Sequence, residues 1–179
     1  MNSFLYRVFL AASDYFDGDA KRIQHFTKVL QFSDLIAYGE NLSGRERDIL
    51  LCAAVLHDIG IPESERKYGD CTGRHQEEEG PPVARSILAG LGADETLTET
   101  VCRIISLHHS YDRVGDDRLL RILIEADLLV NSYEDYSGVC GTDNRAAAHA
   151  EIAAAANACV RTATGKRLFA SLYNVEFCG

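Results

Sequence analysis

The stretch Ile49-Leu50-Leu51-Cys52-Ala53-Ala54-Val55-Leu56-His57-Asp58-Ile59-Gly60-Ile61-Pro62 decides how the chain is read. Eight apolar residues run into an imidazole beside a carboxylate, and apolar residues resume at once. Packing gives no reason for that interruption, because burying an unpaired carboxylate costs several kcal/mol even after relaxation. A metal ion would offset the cost.

Working outward, three more places set polar residues in apolar surroundings: His25, the pair His108-His109, and Asp127. His25 has Val29, Phe32 and Ile36 at i+4, i+7 and i+11, an apolar stripe. His108 continues the stripe Leu97, Val101, Ile104, and His109 follows Cys102 and Ile105. His57 follows Leu50 and Ala53, and Asp58 follows Leu51 and Ala54. From Leu119 to Val130 the only polar residues are Arg121, Glu125 and Asp127. Arg121 and Glu125 are four apart and are expected to share the wet face. Asp127 is two residues past Glu125, about 200° around a helix at about 100° per residue, so it points inward. Each candidate thus faces the interior from a different helix, which is how a helical bundle builds a metal site. A single inward His or Asp is more often a satisfied core residue than a ligand. Several in one small domain are harder to explain separately.

The helical period runs through almost every segment, and no stretch alternates as a strand. The predicted class is all-α, a single-domain helical bundle over residues 1–179. Helices are predicted near 3–16, 20–40, 45–59, 81–91, 95–109, 117–136, 143–163 and 165–173. Ser43-Gly44-Arg45-Glu46 reads as a capping box, Pro81-Pro82 as a helix start, and Gly60 and Gly92 as helix ends. The charged, glycine-bearing stretch 60–80 is predicted to be irregular and to lie over the site. Its Glu77-Glu78-Glu79 run reads as a solvated helix start from which one carboxylate could reach the site.

The net charge of −9 argues against DNA or RNA as the main partner, since those contacts need clustered Lys and Arg. It leaves room for a small phosphorylated ligand, because a metal supplies positive charge locally. Cysteines at 52, 71, 102, 140, 159 and 178 form no C-x-x-C pair, and Cys52 and Cys102 sit in apolar helical runs. A reduced, cytoplasmic setting without disulfides is expected. Residues 1–16 lack a basic start and read as an amphipathic helix, not a leader. No apolar run is long enough for a membrane span.

The order His25, His57-Asp58, Asp127 resembles the H…HD…D signature of the HD-domain superfamily of metal-dependent phosphohydrolases. Ala53-Ala54-Val55-Leu56-His57-Asp58-Ile59-Gly60 is similar to that family's HD helix. Gly80-Pro81-Pro82-Val83-Ala84-Arg85-Ser86-Ile87-Leu88 is similar to the helix after it, and Ile104-Ile105-Ser106-Leu107-His108-His109 to its later HH segment. The likeness covers residues 20–131. It implies a divalent metal held by His25, His57, Asp58 and Asp127. Two imidazoles and two carboxylates suit Mn, Fe, Co, Ni or Zn better than Mg or Ca. Such an ion acidifies water and polarises a phosphoryl group. Some members hold two ions. His75, His108 and His109 are available for a second, with Asp58 as the bridge, although one ion is favoured and His75 lies in a charged segment that also suits plain solvation.

The resemblance does not fix the substrate. Guanosine-tetraphosphate hydrolases of the superfamily carry an acidic pair shortly after HD, where this chain has Ile61-Pro62. The HD-GYP phosphodiesterases carry Lys three residues after the HD Asp and Gly-Tyr-Pro after HH. Here those positions read Ile61 and Ser110-Tyr111-Asp112-Arg113. The expected activity is hydrolysis of a small phosphorylated metabolite or nucleotide. Asp58 and, as a candidate base, Glu63 are catalytic. Arg113 and Lys67, then Arg22 and Lys28, are candidates to bind phosphate. The alternatives are a binuclear di-iron oxygenase of the same fold and a regulatory module that keeps the metal for stability. A homo-oligomer is left open.

Overall fold

The computed structural model describes residues 2–42, 44–137 and 141–177. Ser43, Cys140 and Cys178 lie outside them. The apolar run at 49–56 is the central helix. It belongs to α3 (Gly44–Leu56), and every side chain from Ile49 to Leu56 is buried. Each aliphatic burial of that kind is worth about 1.5–3 kcal/mol relative to exposure. A helix apolar on all sides must be covered on all sides. The cover comes from α1 (Ser3–Tyr15), α2 (Ala20–Gly39), α6 (Glu95–Ile105) and α7 (Arg118–Ser137), all of which pack on α3. Helices α2 and α7 also pack extensively on each other. Beyond them, α8 (Thr142–Cys159) and α9 (Ala163–Tyr173) lean on α7. The described residues are all-α, as predicted.

Local chemistry starts and stops these helices. Asn2, Asp19, Asp94 and Thr162 cap α1, α2, α6 and α9 by accepting backbone N–H bonds. Gly92, at φ +74°, follows the end of a helix as expected. α1 buries Leu5, Val8 and Ala12, the amphipathic pattern read from its sequence. None of the described helices is long and apolar enough to cross a membrane.

The stretch 60–80 is not irregular. It forms α4 (Ile61–Tyr68), closed by Gly69 at φ +75°, and the front of α5 (Gly73–Gly90). Pro81-Pro82 lie inside α5 and do not start it. Three features explain this. Gly80, the residue before Pro81, has no Cβ to clash with the proline ring. Gly60 also lacks a Cβ, which lets α5 cross the turn there, since a Cβ on Gly60 would stand 2.6 Å from Gly80 N and 2.8 Å from Gln76 O. Polar side chains tie the front of α5 down. Gln76 donates to Cys71 O, Glu77 accepts from His109 N and Ser110 Oγ, and Glu79 accepts from Lys67 and the Tyr68 hydroxyl. Periodicity carries no signal for such a segment. Gly60 therefore serves a close approach at φ −77°, not a left-handed helix end.

Candidate metal centre

The HD and HH dipeptides do not sit inside helices as predicted. They fall in the turns just past the C-termini of α3 and α6. That position has a use. The last four carbonyls of a helix lack intrahelical donors, and each histidine fills one. His57 Nδ1 donates to Ala54 O at 2.9 Å and His108 Nδ1 to Ile105 O at 2.6 Å. Both rings are thereby fixed with the proton on Nδ1 and the Nε2 lone pair turned toward the centre.

His25 reaches the same place from α2. Its Nδ1 donates to Glu134 Oε2 at 3.3 Å, and Lys28 Nζ holds the other Glu134 oxygen at 3.1 Å. Its Nε2 faces Asp127 Oδ1 at 3.1 Å, His57 Nε2 at 3.3 Å and Asp58 Oδ2 at 3.5 Å. His57 Nε2 lies 3.4 Å from Asp58 Oδ2 and 3.6 Å from Asp127 Oδ1. Donors about 2.0–2.2 Å from one ion stand about 3.0–3.4 Å apart at octahedral or tetrahedral edges. His25, His57 and Asp58 thus group with ligand atoms within 4.8 Å of one another, and Asp127 stands against both histidines at similar separations. His25, His57 and Asp127 are buried, and the Asp58 side chain is 17% exposed.

A second group shares Asp58. The ligand atoms of Asp58, His108 and His109 all lie within 4.8 Å of one another. His108 Nε2 is fully buried and has no hydrogen-bond partner among the described residues, with Asp58 Oδ1 standing off at 3.5 Å. An orphaned buried nitrogen of this kind needs an explanation, and a cation supplies one. His109 Nε2 meets Gln76 Oε1 at 3.1 Å, and the Gln76 amide is oriented by its bond to Cys71 O. That leaves Nδ1 as the bare nitrogen of His109.

The electrostatics follow from the packing. Burial disfavours the charged form of His57, but the adjacent carboxylates of Asp58 and Asp127 outweigh it and hold its pKa well above the ordinary value. His25 is raised for the same reason, Asp127 contributing most against its burial. Burial likewise works against ionised Asp58 and Asp127, and the histidines overcome it, leaving both carboxyls below the usual range. His109 behaves oppositely. Burial and His108 push its pKa down to about 4. A neutral imidazole is the form that binds metal.

The other candidates fall elsewhere. His75 stacks on Tyr68 and bonds Asp70 Oδ1 at 2.7 Å. Its neighbour Gln76 is the residue that reaches His109. Glu63 pairs with Arg66 at 2.6 Å. Among the basic candidates, Arg22 pairs with Asp19 and Glu65, Lys28 with Glu134, and Lys67 with Glu79. Arg113 follows the HH pair by four residues and is exposed, with no carboxylate partner among the described residues. Arg74 is also exposed and unpaired among them, and adjoins Gly73, where a Cβ would lie 2.7 Å from the His109 ring.

Glu125 is not on a wet face. It is wholly buried and accepts from Arg161 N, Thr162 N and Thr162 Oγ1 at the start of α9. Helix α7 is covered on more sides than the Arg121–Glu125 spacing suggested. Glu79 is buried too, so the 77–79 run is not simply a solvated helix start. Sequence reasoning missed Glu134, although it lies seven residues after Asp127 and so on the same stripe of α7.

The chain matches the HD domain family over residues 22–132, more than half its length, and belongs to that family. His25, His57, Asp58 and Asp127 all lie in the matched span. Membership implies a divalent metal and hydrolase-type chemistry, and the buried His/Asp groups are compatible with both. No curated protein and no solved structure matches the chain.

Proposed function

We propose that this protein is a metal-dependent phosphohydrolase acting on a small phosphorylated metabolite or nucleotide. The convergence of the His25 and His57 Nε2 atoms with Asp58 and Asp127 at ligand-edge spacing carries this reading. A divalent transition metal bound there would supply Lewis acidity and a nucleophile usable at neutral pH. The chain's own residues do the rest. Glu134 fixes the ring of His25, while the carbonyls of Ala54 and Ile105 fix His57 and His108. We assign to Asp58, shared by both groups and partly open to solvent, the catalytic role of holding the ion and orienting the water nucleophile. Glu63, held by Arg66, has no such role in this reading. Arg113 and Arg74 flank the HH turn and are the cations we assign to the substrate's phosphate. Lys67, Arg22 and Lys28 are already neutralised by carboxylates. We take residues 1–179 as one HD-type domain, because α1, α8 and α9 pack onto its core helices.

A second ion is favoured by one observation, the orphaned His108 Nε2 beside Asp58 and His109. Metal analysis of protein purified without chelators distinguishes one ion from two per chain. Protein supplied with Mn, Fe, Co, Ni or Zn should release phosphate from a panel of phosphomonoesters and nucleotides. Asp58→Ala should abolish that release. Undiminished turnover in the variant would overturn the mechanism, and O₂ consumption without phosphate release would replace it with the di-iron oxygenase reading. Tight metal binding with no turnover would leave a regulatory module.

A further inference from the structure

A cavity of about 210 Å³ is lined by Tyr111, Val114, Arg121, Ile124, Cys159 and Arg161, among others, and by none of the His/Asp centre's residues. We propose that it is a binding site for a small phosphate-class anion, distinct from the metal centre.

Its charge is the first reason. The chain carries a net charge of −9, and basic residues such as Arg22, Arg47, Arg66 and Lys67 are neutralised by carboxylates. Arg121 and Arg161 have no carboxylate partner among the described residues. Arg121 donates to Gly115 O at 2.5 Å. Arg161 donates to the carbonyls of Asn157, Ala158 and Val160 at the end of α8. Carbonyl bonds orient a guanidinium without cancelling its charge. A guanidinium has five N–H donors. These bonds leave four on Arg121 and two on Arg161 for a ligand. No carboxylate lines the cavity among the described residues, and the oxygens of Glu125, on the same helix as Arg121, are filled by Arg161 N and by Thr162 N and Oγ1. The Tyr111 hydroxyl adds a donor with no partner among the described residues.

Size is the second reason. At about 30 Å³ per water the cavity has room for roughly seven waters. That is below the roughly 300–1,000 Å³ that holds a whole drug-sized ligand. It suits one phosphate group, which two arginines can grip through paired N–H donors.

Position is the third. Ile124 is one helical turn before Asp127 on α7, and Tyr111 is two residues after His109. Both walls of the cavity are continuous with elements that carry the metal centre. The inference does not depend on hydrolysis, and the test separates the two.

Inorganic phosphate is titrated into the full chain and followed by calorimetry, with Arg121→Gln, Tyr111→Phe and the Arg121→Gln/Arg161→Gln pair. Saturable binding is expected, weakened about threefold by Tyr111→Phe and tenfold or more by Arg121→Gln, and abolished in the pair. Asp58→Ala should retain it. Circular dichroism checks folding, and Arg121→Gln alone decides the matter if loss of the α8 carbonyl bonds unfolds the pair. Absence of saturable binding, equal binding in wild type and Arg121→Gln, or loss of binding in Asp58→Ala each overturns the proposal. Phosphate binding without turnover would retain it while removing the hydrolase reading.

Discussion

Replacing Glu134 by Gln tests how the ligands are positioned. His57 and His108 are held by backbone carbonyls, which no side-chain substitution removes. His25 depends on the Glu134 carboxylate, itself steadied by Lys28. Partners of this kind are worth about 10–100-fold in metal affinity. The Nδ1 to Oε2 distance of 3.3 Å exceeds the usual ~2.7–2.9 Å of a charge-assisted bond, and the Glu134 side chain is 24% exposed. Both facts place the effect at the low end, about tenfold, or about 1.4 kcal/mol. Titration with Zn²⁺ or Mn²⁺ against a competing chelator measures it. Gln keeps the length and an acceptor oxygen but loses the charge, so Glu134→Ala should lose more than Glu134→Gln. Wild-type affinity in both variants, with His25→Ala abolishing binding, would refute the positioning role.

Three further outcomes are expected. Gly60→Ala should destabilise by about 1–3 kcal/mol, because its Cβ meets backbone of α5 that cannot yield. At about 2–4 °C per kcal/mol that is readable as a lowered Tm, and Gly90→Ala, with open space around it, should stay near wild type. The metal-free protein should lose stability as pH rises. His25 and His57 have folded pKa values above the ordinary 6.5, so their contribution is full below about 6.5 and is lost as pH passes through the raised values. His109 does not interfere there, being neutral folded or unfolded above that point. Metal-loaded protein should show the opposite slope, since binding requires those protons to leave. Thermal melts from pH 6 to 8.5, with chelator and with metal, check both signs, and parallel slopes would contradict them. Finally, burial pushes the Cys52 thiol up to about 12, so peptide mapping after alkylation at pH 8 should find exposed Cys71 labelled and Cys52 untouched until the protein unfolds.

What was legible depended on contrast. His25, His57, Asp58 and Asp127 stood out because each interrupts apolar sequence, and the structure brings all four together. Helices α1, α2, α6 and α7 were legible from their stripes, and α3 from its unbroken apolar run. The front of α5 was not, because polar bonds and a glycine-to-glycine crossing hold it, and neither leaves a period in the sequence. Pro81-Pro82 pointed to a helix start as proline statistics do, and Gly80 relieves only part of the steric clash behind that rule. Glu125 was misplaced because its spacing from Arg121 described a pair on one helix, while its burial is decided by α9, about forty residues later in the chain.

The turns after α3 and α6 explain more than the placement of four side chains. Both helices end at the centre, and each gives an orphan carbonyl to an imidazole Nδ1. With Glu134 doing the same for His25, three rings turn their Nε2 atoms toward two carboxylates whether or not an ion is bound. Without metal, that arrangement is tolerable only if the histidines take up protons, which is why the pKa values of His25 and His57 rise despite burial. The proton and the metal are therefore alternative occupants of one prepared cluster. A fold that fixes tautomers through backbone carbonyls can change the residues around the cluster without losing the ligands. The cations we assign to the substrate's phosphate, Arg74 and Arg113, are then where substrate preference is to be sought.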